Sequence, residues 1–152
     1  MPEGAEDAMA DNPPVPIDVA AAIIEREGRY LITRRLADAA LGGLWEFPGG
    51  KRRTDESLER CLEREISEEL GVRISVRALE RRVSHAYDHA LVDLHFYRCD
   101  LVEGEPAPLG CQALRWVLPS ELSGFPFPEA NLPLIDALAE NARSSAEGER
   151  GA

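Results

Sequence analysis

Three glutamates, Glu65, Glu68 and Glu69, stand at spacing i, i+3, i+4 just before Gly71. On a helix their carboxylates project from one side of two consecutive turns. Like charges crowd there, and the end of a helix is the negative pole of its macrodipole, where an acid loses about 0.3–1 kcal/mol. Two readings stand on spacing alone. One is a solvated acidic face eased by Arg60 and Arg64; the other is a divalent cation site. Three hard oxygen donors suit Mg²⁺ or Mn²⁺, with water and a substrate phosphate completing the octahedron. His85, His89 and His95 read as ordinary strand and turn residues, because no pairing of histidine with a carboxylate shows zinc spacing. Cys61, Cys99 and Cys111 are odd in number and contain no C-x-x-C pair, so buried free thiols are expected.

The acids need a helix, and Asp55 to Gly71 supplies its signals. Leu58, Leu62, Ile66 and Leu70 recur every four residues, Thr54 or Asp55 is placed to cap the start, and Gly71 follows the last turn. Upstream, Asp18 to Ile24 and Tyr30 to Thr33 read as a β-hairpin joined by the polar turn Glu25 to Gly28. Leu44 to Phe47 reads as a short strand, and Pro48-Gly49-Gly50 as a tight turn using glycine's freedom at positive φ. Strands are expected at Val72 to Ser84, Leu91 to Cys99 and around Leu114 to Val117, and a second helix from about Asn131 to Asn141. Residues 1–15, with four acids, no bases and three prolines, read as a disordered arm. Residues 16–142 form the expected domain, and 143–152 a disordered tail.

The chain has 152 residues and a formal net charge of -11. That length fits one domain. The acidity argues against a nucleic-acid polymer as partner, since such affinity comes from Lys and Arg on phosphates. It does not argue against small phosphorylated ligands held through a cation. No apolar run approaches the roughly 20 residues of a membrane span, and the acidic start is unlike a signal peptide. A cytoplasmic protein with no membrane partner is expected.

The stretch Gly50-Lys51-Arg52-Arg53-Thr54-Asp55-Glu56, followed by Arg64-Glu65-Ile66-Ser67-Glu68-Glu69-Leu70-Gly71-Val72, resembles the Nudix box at every fixed position. Leu44-Trp45-Glu46-Phe47-Pro48-Gly49-Gly50-Lys51, preceded by Ile32-Thr33-Arg34-Arg35, resembles the MutT branch of that family. So does Phe127-Pro128-Glu129-Ala130-Asn131. The resemblance implies an α/β fold, a Nudix-type α/β/α sandwich with a central mixed β-sheet. It implies a hydrolase that replaces a diphosphate linkage with water, giving a nucleoside monophosphate and pyrophosphate with Mg²⁺ as cofactor and Mn²⁺ as substitute. The favoured substrate is then 8-oxo-dGTP, a nucleotide-pool role. Modified pyrimidine triphosphates, or another nucleoside-diphosphate-linked substrate, are the alternative. A non-catalytic lesion-binding module, like the one fused to adenine glycosylases, is a third. That module usually lacks the full carboxylate set, which this chain keeps, and the chain has no room for the glycosylase.

Carried over residue by residue, Glu65, Glu68 and Glu69 resemble the metal ligands, with the Gly50 carbonyl as a further donor. Arg64 resembles the residue that orients a box carboxylate, and Glu56 one that braces the loop or takes part directly. Arg35, Phe47 and Asn131 match positions that contact an oxidised guanine, and His85, Tyr87 and Asp88 lie near a loop facing the base. Each has a plainer reading as well: Asn131 as a helix N-cap, Phe47 as core, Arg35 as a surface cation. Some relatives carry a glutamate in the loop before the strand of Trp116. Here Gly110 stands in its place, so either a box glutamate is the base or catalysis is slower.

Overall fold

In a computed structural model, residues 15–88 and 90–151 are described, with side chains through residue 143. The arm up to residue 14 and His89 lie outside them. Seven strands form one mixed sheet: β1 (Ile17–Arg26), β2 (Arg29–Arg34), β3 (Trp45–Glu46), β4 (Gly49–Lys51), β5 (Arg73–Tyr87), β6 (Ala90–Glu103) and β7 (Ala113–Val117). The spatial order is β3-β2-β1-β6-β5, with β4 on β1 and β7 on β2. β1 runs parallel to β6, and the other pairs are antiparallel. Helix α1 (Leu58–Leu70) covers one face; helix α2 (Leu132–Gly151) and two 3-10 turns, Pro119–Gly124 and Glu129–Asn131, cover the other.

Alternation along the strands explains the layers, since successive side chains leave opposite faces. Ala20, Ala22 and Ile24 pack with Cys61, Leu62, Ile66 and Leu70 of α1. Ala21 and Ile23 pack the other way, with Phe96, Leu134 and Leu138. β1 is therefore buried on both faces, which its unbroken apolar run requires. The expected α/β/α sandwich with a mixed sheet is the fold found. All three cysteines are free and buried.

The hairpin turn forms where expected, with Glu27 and Gly28 at φ 52° and 78°, the positive pair that a two-residue turn between twisted strands favours. α1 ends as expected: Gly71, at φ 70°, donates its amide to the Ser67 carbonyl. Its start differs. Ser57, and neither Thr54 nor Asp55, accepts from the Arg60 amide, because residues 52–56 are drawn into side-chain contacts of their own. α2 also differs, beginning at Leu132 and continuing past Asn141 to Gly151. The alanines, glutamates and arginines of that stretch are helix formers, so most of the segment read as a tail carries helical backbone.

The largest correction concerns Gly49 and Gly50. Neither has positive φ; they are strand residues paired with Ala21 and Ala20. Glycine is required there by space. A Cβ on Gly49 would strike the Ala20 carbonyl oxygen, and one on Gly50 would strike the Glu65 carboxylate. β1 meets β2 only at the turn, over Glu25 and Arg26. Its other half pairs with β4, and β2 turns away to pair with β7. A cavity opens where the two sheet halves part.

Candidate active site

The cavity, ≈ 430 Å³, is lined by Gly49, Gly50, Glu65 and Glu69 and by Arg35, Glu46, Phe47, Tyr87 and Asn131 among others. Elements distant in sequence thus bring Glu65 and Glu69 and the residues matched to base contacts, Arg35, Phe47 and Asn131, to one cavity.

Arg64 organises the acidic end. Its Nε and Nη2 donate to the two oxygens of Glu56 at 3.0 and 2.6 Å, and Nη2 also reaches the Lys51 carbonyl at 3.2 Å. Its Nη1 donates to Glu65 Oε1 at 2.8 Å and Glu68 Oε1 at 3.1 Å. One planar fork therefore ties α1 to the loop before it, a geometry lysine does not offer. The Arg64 guanidinium and the Arg53 amide hold Glu56 down at about 2, and Glu56 in turn raises Arg64. Glu56 is therefore charged at neutral pH, with both oxygens engaged by Arg64 and the Arg53 amide.

The three glutamates are not equivalent. Glu65 and Glu69 line the cavity, whereas Glu68, with its side chain 52% exposed, is not among the lining residues and pairs with Arg64. Glu69 Oε2 is buried without a hydrogen-bond partner among the described residues. Burial, then the neighbouring charges of Glu46 and Glu65, push the Glu69 carboxyl up to about 8, against a backbone hydrogen bond from Gly49. An orphaned buried acceptor among further carboxylates is costly unless a cation completes it. These hard oxygens and the adjacent Gly50 carbonyl, 3.5 Å from the Cys61 thiol, fit Mg²⁺ or Mn²⁺.

The two clashes of β4 differ in kind. Gly49→Ala is expected to lower the melting temperature, because its Cβ meets backbone, and overpacking costs about 1–3 kcal/mol. Gly50→Ala displaces only the end of the Glu65 side chain, so it is expected to lose activity at nearly unchanged stability. Thermal melts beside rate measurements check this; equal loss of stability in both variants would contradict it.

Phe47 is core and wall at once: it is 2% exposed, stacks on Phe127 at 5.9 Å, meets Phe96 edge-on at 6.0 Å and lines the cavity. Asn131 is 5% exposed. It closes a 3-10 turn, and its amide has no side-chain hydrogen bond to any described residue. Arg35 is no free surface cation, since Nη1 pairs with Glu46 at 2.8 Å and Nε donates to the Ala40 carbonyl at 2.7 Å. Tyr87 lines the cavity and its hydroxyl accepts the Ala130 amide at 3.0 Å. His85 and Asp88 are not among the lining residues; His85 lies against Tyr87 and 3.3 Å from Glu129.

Gly110 packs on the C-terminal end of α1. The amides of Leu109 and Gly110 both donate to the Glu69 carbonyl, at 2.9 and 3.0 Å, and a Cβ on Gly110 would lie 3.3 Å from Glu69 Cα. That loop caps helix carbonyls. Glu46 is the site residue that sequence reasoning missed. Its carboxyl is raised by burial, against the lowering effect of Arg35. The only sequence signal was an acid set between two aromatics in Trp45-Glu46-Phe47.

The NUDIX domain model matches residues 19–137. The CTP pyrophosphohydrolase of Escherichia coli K12 is 37% identical over 121 residues, covering 80% of this chain and 90% of the relative. The 8-oxo-dGTP diphosphatase of the same strain is 33% identical over 123 residues, covering 80% and 95%. Among solved structures, the E. coli ORF135 protein superposes with a TM-score of 0.72 at 35% identity, covering 88% of this chain and 94% of that one.

Proposed function

The chain belongs to the Nudix family as a MutT-like pyrophosphohydrolase, and from that premise we propose that it converts 8-oxo-dGTP to 8-oxo-dGMP and pyrophosphate with Mg²⁺, Mn²⁺ serving as substitute. The observation that carries this reading is one cavity lined by Glu65 and Glu69 together with Phe47 and Asn131.

Gly50, Glu65, Glu68 and Glu69 hold the cation in this reading. When bound, Mg²⁺ offsets the charge of the phosphate oxygens and lowers the pKa of water, so a carboxylate of ordinary basicity suffices as base. Glu56 and Arg64 keep the loop and helix in register through their paired hydrogen bonds. The water proton goes to a carboxylate oxygen of the cavity wall, because Gly110 brings none and its backbone is committed to α1. Arg35, fixed by Glu46, presents its remaining guanidinium hydrogens to the nucleotide. The Phe47 ring limits the depth of the base pocket, and the Asn131 amide offers one donor and one acceptor to the base edge.

A second reading, hydrolysis of a cytosine nucleoside triphosphate, is favoured by the 37% identical CTP pyrophosphohydrolase. Rates on a panel of ordinary and oxidised triphosphates separate the two.

Reaction in ¹⁸O-water tests the chemistry shared by both. The expected first products are monophosphate and pyrophosphate, with the label in pyrophosphate from attack at the β-phosphorus. Orthophosphate as first product, or label only in the monophosphate, contradicts the proposal.

A further inference from the structure

The loop between β4 and α1 is held on one side by Arg64. On its other side Arg52 does similar work. Its backbone amide donates to the Asp18 carbonyl at 2.9 Å, and its Nη2 to Asp18 Oδ2 at 3.0 Å. Its Nη1 faces the carbonyls of Arg53, Thr54 and Glu56 at 3.4, 3.5 and 3.3 Å. One guanidinium thereby gathers three loop carbonyls against a carboxylate on β1.

Asp18 has a foundation of its own. The parallel register sets it beside Asp93 of β6. Asp93 takes both forks of Arg82, at 2.9 and 2.6 Å, and the Ser84 hydroxyl at 2.9 Å. Buried His95 places Nε2 3.5 Å from Asp18 Oδ1 and 3.9 Å from Asp93 Oδ2, and that nitrogen has no hydrogen bond among the described residues. Asp18, Asp93 and His95 each offer a ligand atom within 4.8 Å of the others. Two carboxylates facing two guanidiniums are already neutral, however, and a further dication would meet Arg52 and Arg82. The cluster suits a fixed footing better than a second cation site.

We propose that Arg52, anchored on Asp18, is a positioning residue for the divalent cation: it clamps residues 52–56 to β1 so that the Gly50 carbonyl and the Glu56–Arg64 brace keep their places. This rests on the reading that Gly50, Glu65, Glu68 and Glu69 hold that cation. Arg52 touches neither cation nor substrate in this scheme. Its removal acts on metal affinity through the loop, and KM for nucleotide at saturating Mg²⁺ stays unchanged.

The test is Mn²⁺ binding to the nucleotide-free protein, followed by electron paramagnetic resonance of free Mn²⁺, together with the Mg²⁺ concentration for half-maximal activity and the melting temperature. Arg52→Met is expected to weaken Mn²⁺ binding and raise the Mg²⁺ requirement about tenfold, the low end for residues that orient metal ligands. Arg52→Lys recovers little, since an ammonium does not reproduce the fork. Asp18→Asn behaves like Arg52→Met, and the double variant is no worse than either, as expected of one coupled unit. Arg26→Met, which breaks the exposed Arg26–Glu105 pair at the far end of β1, leaves metal binding at the wild-type level. Wild-type Mn²⁺ binding by Arg52→Met overturns the inference alone, as do additive effects of the two substitutions, or losses that track melting temperature and recur in Arg26→Met. Hydrolysis by wild type with no Mn²⁺ bound and EDTA in excess overturns the cation reading and the inference with it.

Discussion

Glu69→Gln is expected to cut turnover at least about tenfold and to weaken Mg²⁺ binding, the lower range for damaged metal sites, while circular dichroism stays that of the folded protein. The physical reason is the orphaned, buried Oε2. In the metal-free protein this carboxyl is pushed up to about 8, far above its value in an unfolded chain. Between the two values the folded state holds a proton that the unfolded state releases, so stability falls as pH rises through that window. Glu69→Gln removes the penalty. The metal-free variant should therefore melt higher than wild type near pH 8.5 and no differently below about pH 4, where both states of wild type are protonated. Mg²⁺ binding needs the ionised carboxylate, so added Mg²⁺ should raise the wild-type melting temperature more at pH 8.5 than at pH 6, and the variant's hardly at either. Undiminished turnover by Glu69→Gln, or substantial wild-type turnover in excess EDTA, contradicts the assignment.

The largest effect is expected in the choice of base. Oxidation converts the N7 acceptor of guanine into an N–H donor, and a fixed backbone carbonyl near Phe47 would accept from it while facing a lone pair in dGTP. Sites built around a buried hydrogen bond discriminate by as much as about 10⁴–10⁵-fold. The wild-type kcat/KM should accordingly favour 8-oxo-dGTP over dGTP by a factor approaching that range. Asn131 is buried in the cavity wall without a side-chain partner among the described residues. Asn131→Ala should raise KM for 8-oxo-dGTP far more than it lowers kcat, because base contacts hold ground state and transition state alike. An unchanged KM would reduce Asn131 to a structural residue closing its 3-10 turn. Higher wild-type kcat/KM for CTP or an oxidised cytosine triphosphate would move the assignment to the pyrimidine reading.

What the sequence by itself determined was whatever depends on neighbours along the chain. The four-residue recurrence of Leu58, Leu62, Ile66 and Leu70 and the stop at Gly71 specify α1 and the side on which its acids stand. The polar turn between two apolar runs specifies the β1–β2 hairpin, and the box residues specify the family. Contacts across the sheet were decided by tertiary structure. Pro48-Gly49-Gly50 reads locally as a turn, yet the close approach of β1 and of Glu65 makes it a strand that only glycine can form. Ser57 became the helix cap because Arg52 and Glu56 had already taken up the preceding loop. Glu46 became part of the site when α1 brought Glu69 beside it and Arg35 reached it. Asp18, Asp93 and His95 show no motif spacing, and the parallel register of β1 on β6 assembles them. Periodicity encodes which face of an element is apolar, because burial acts residue by residue. Register and loop path depend on how whole faces pack together, and no local window of the chain contains that information.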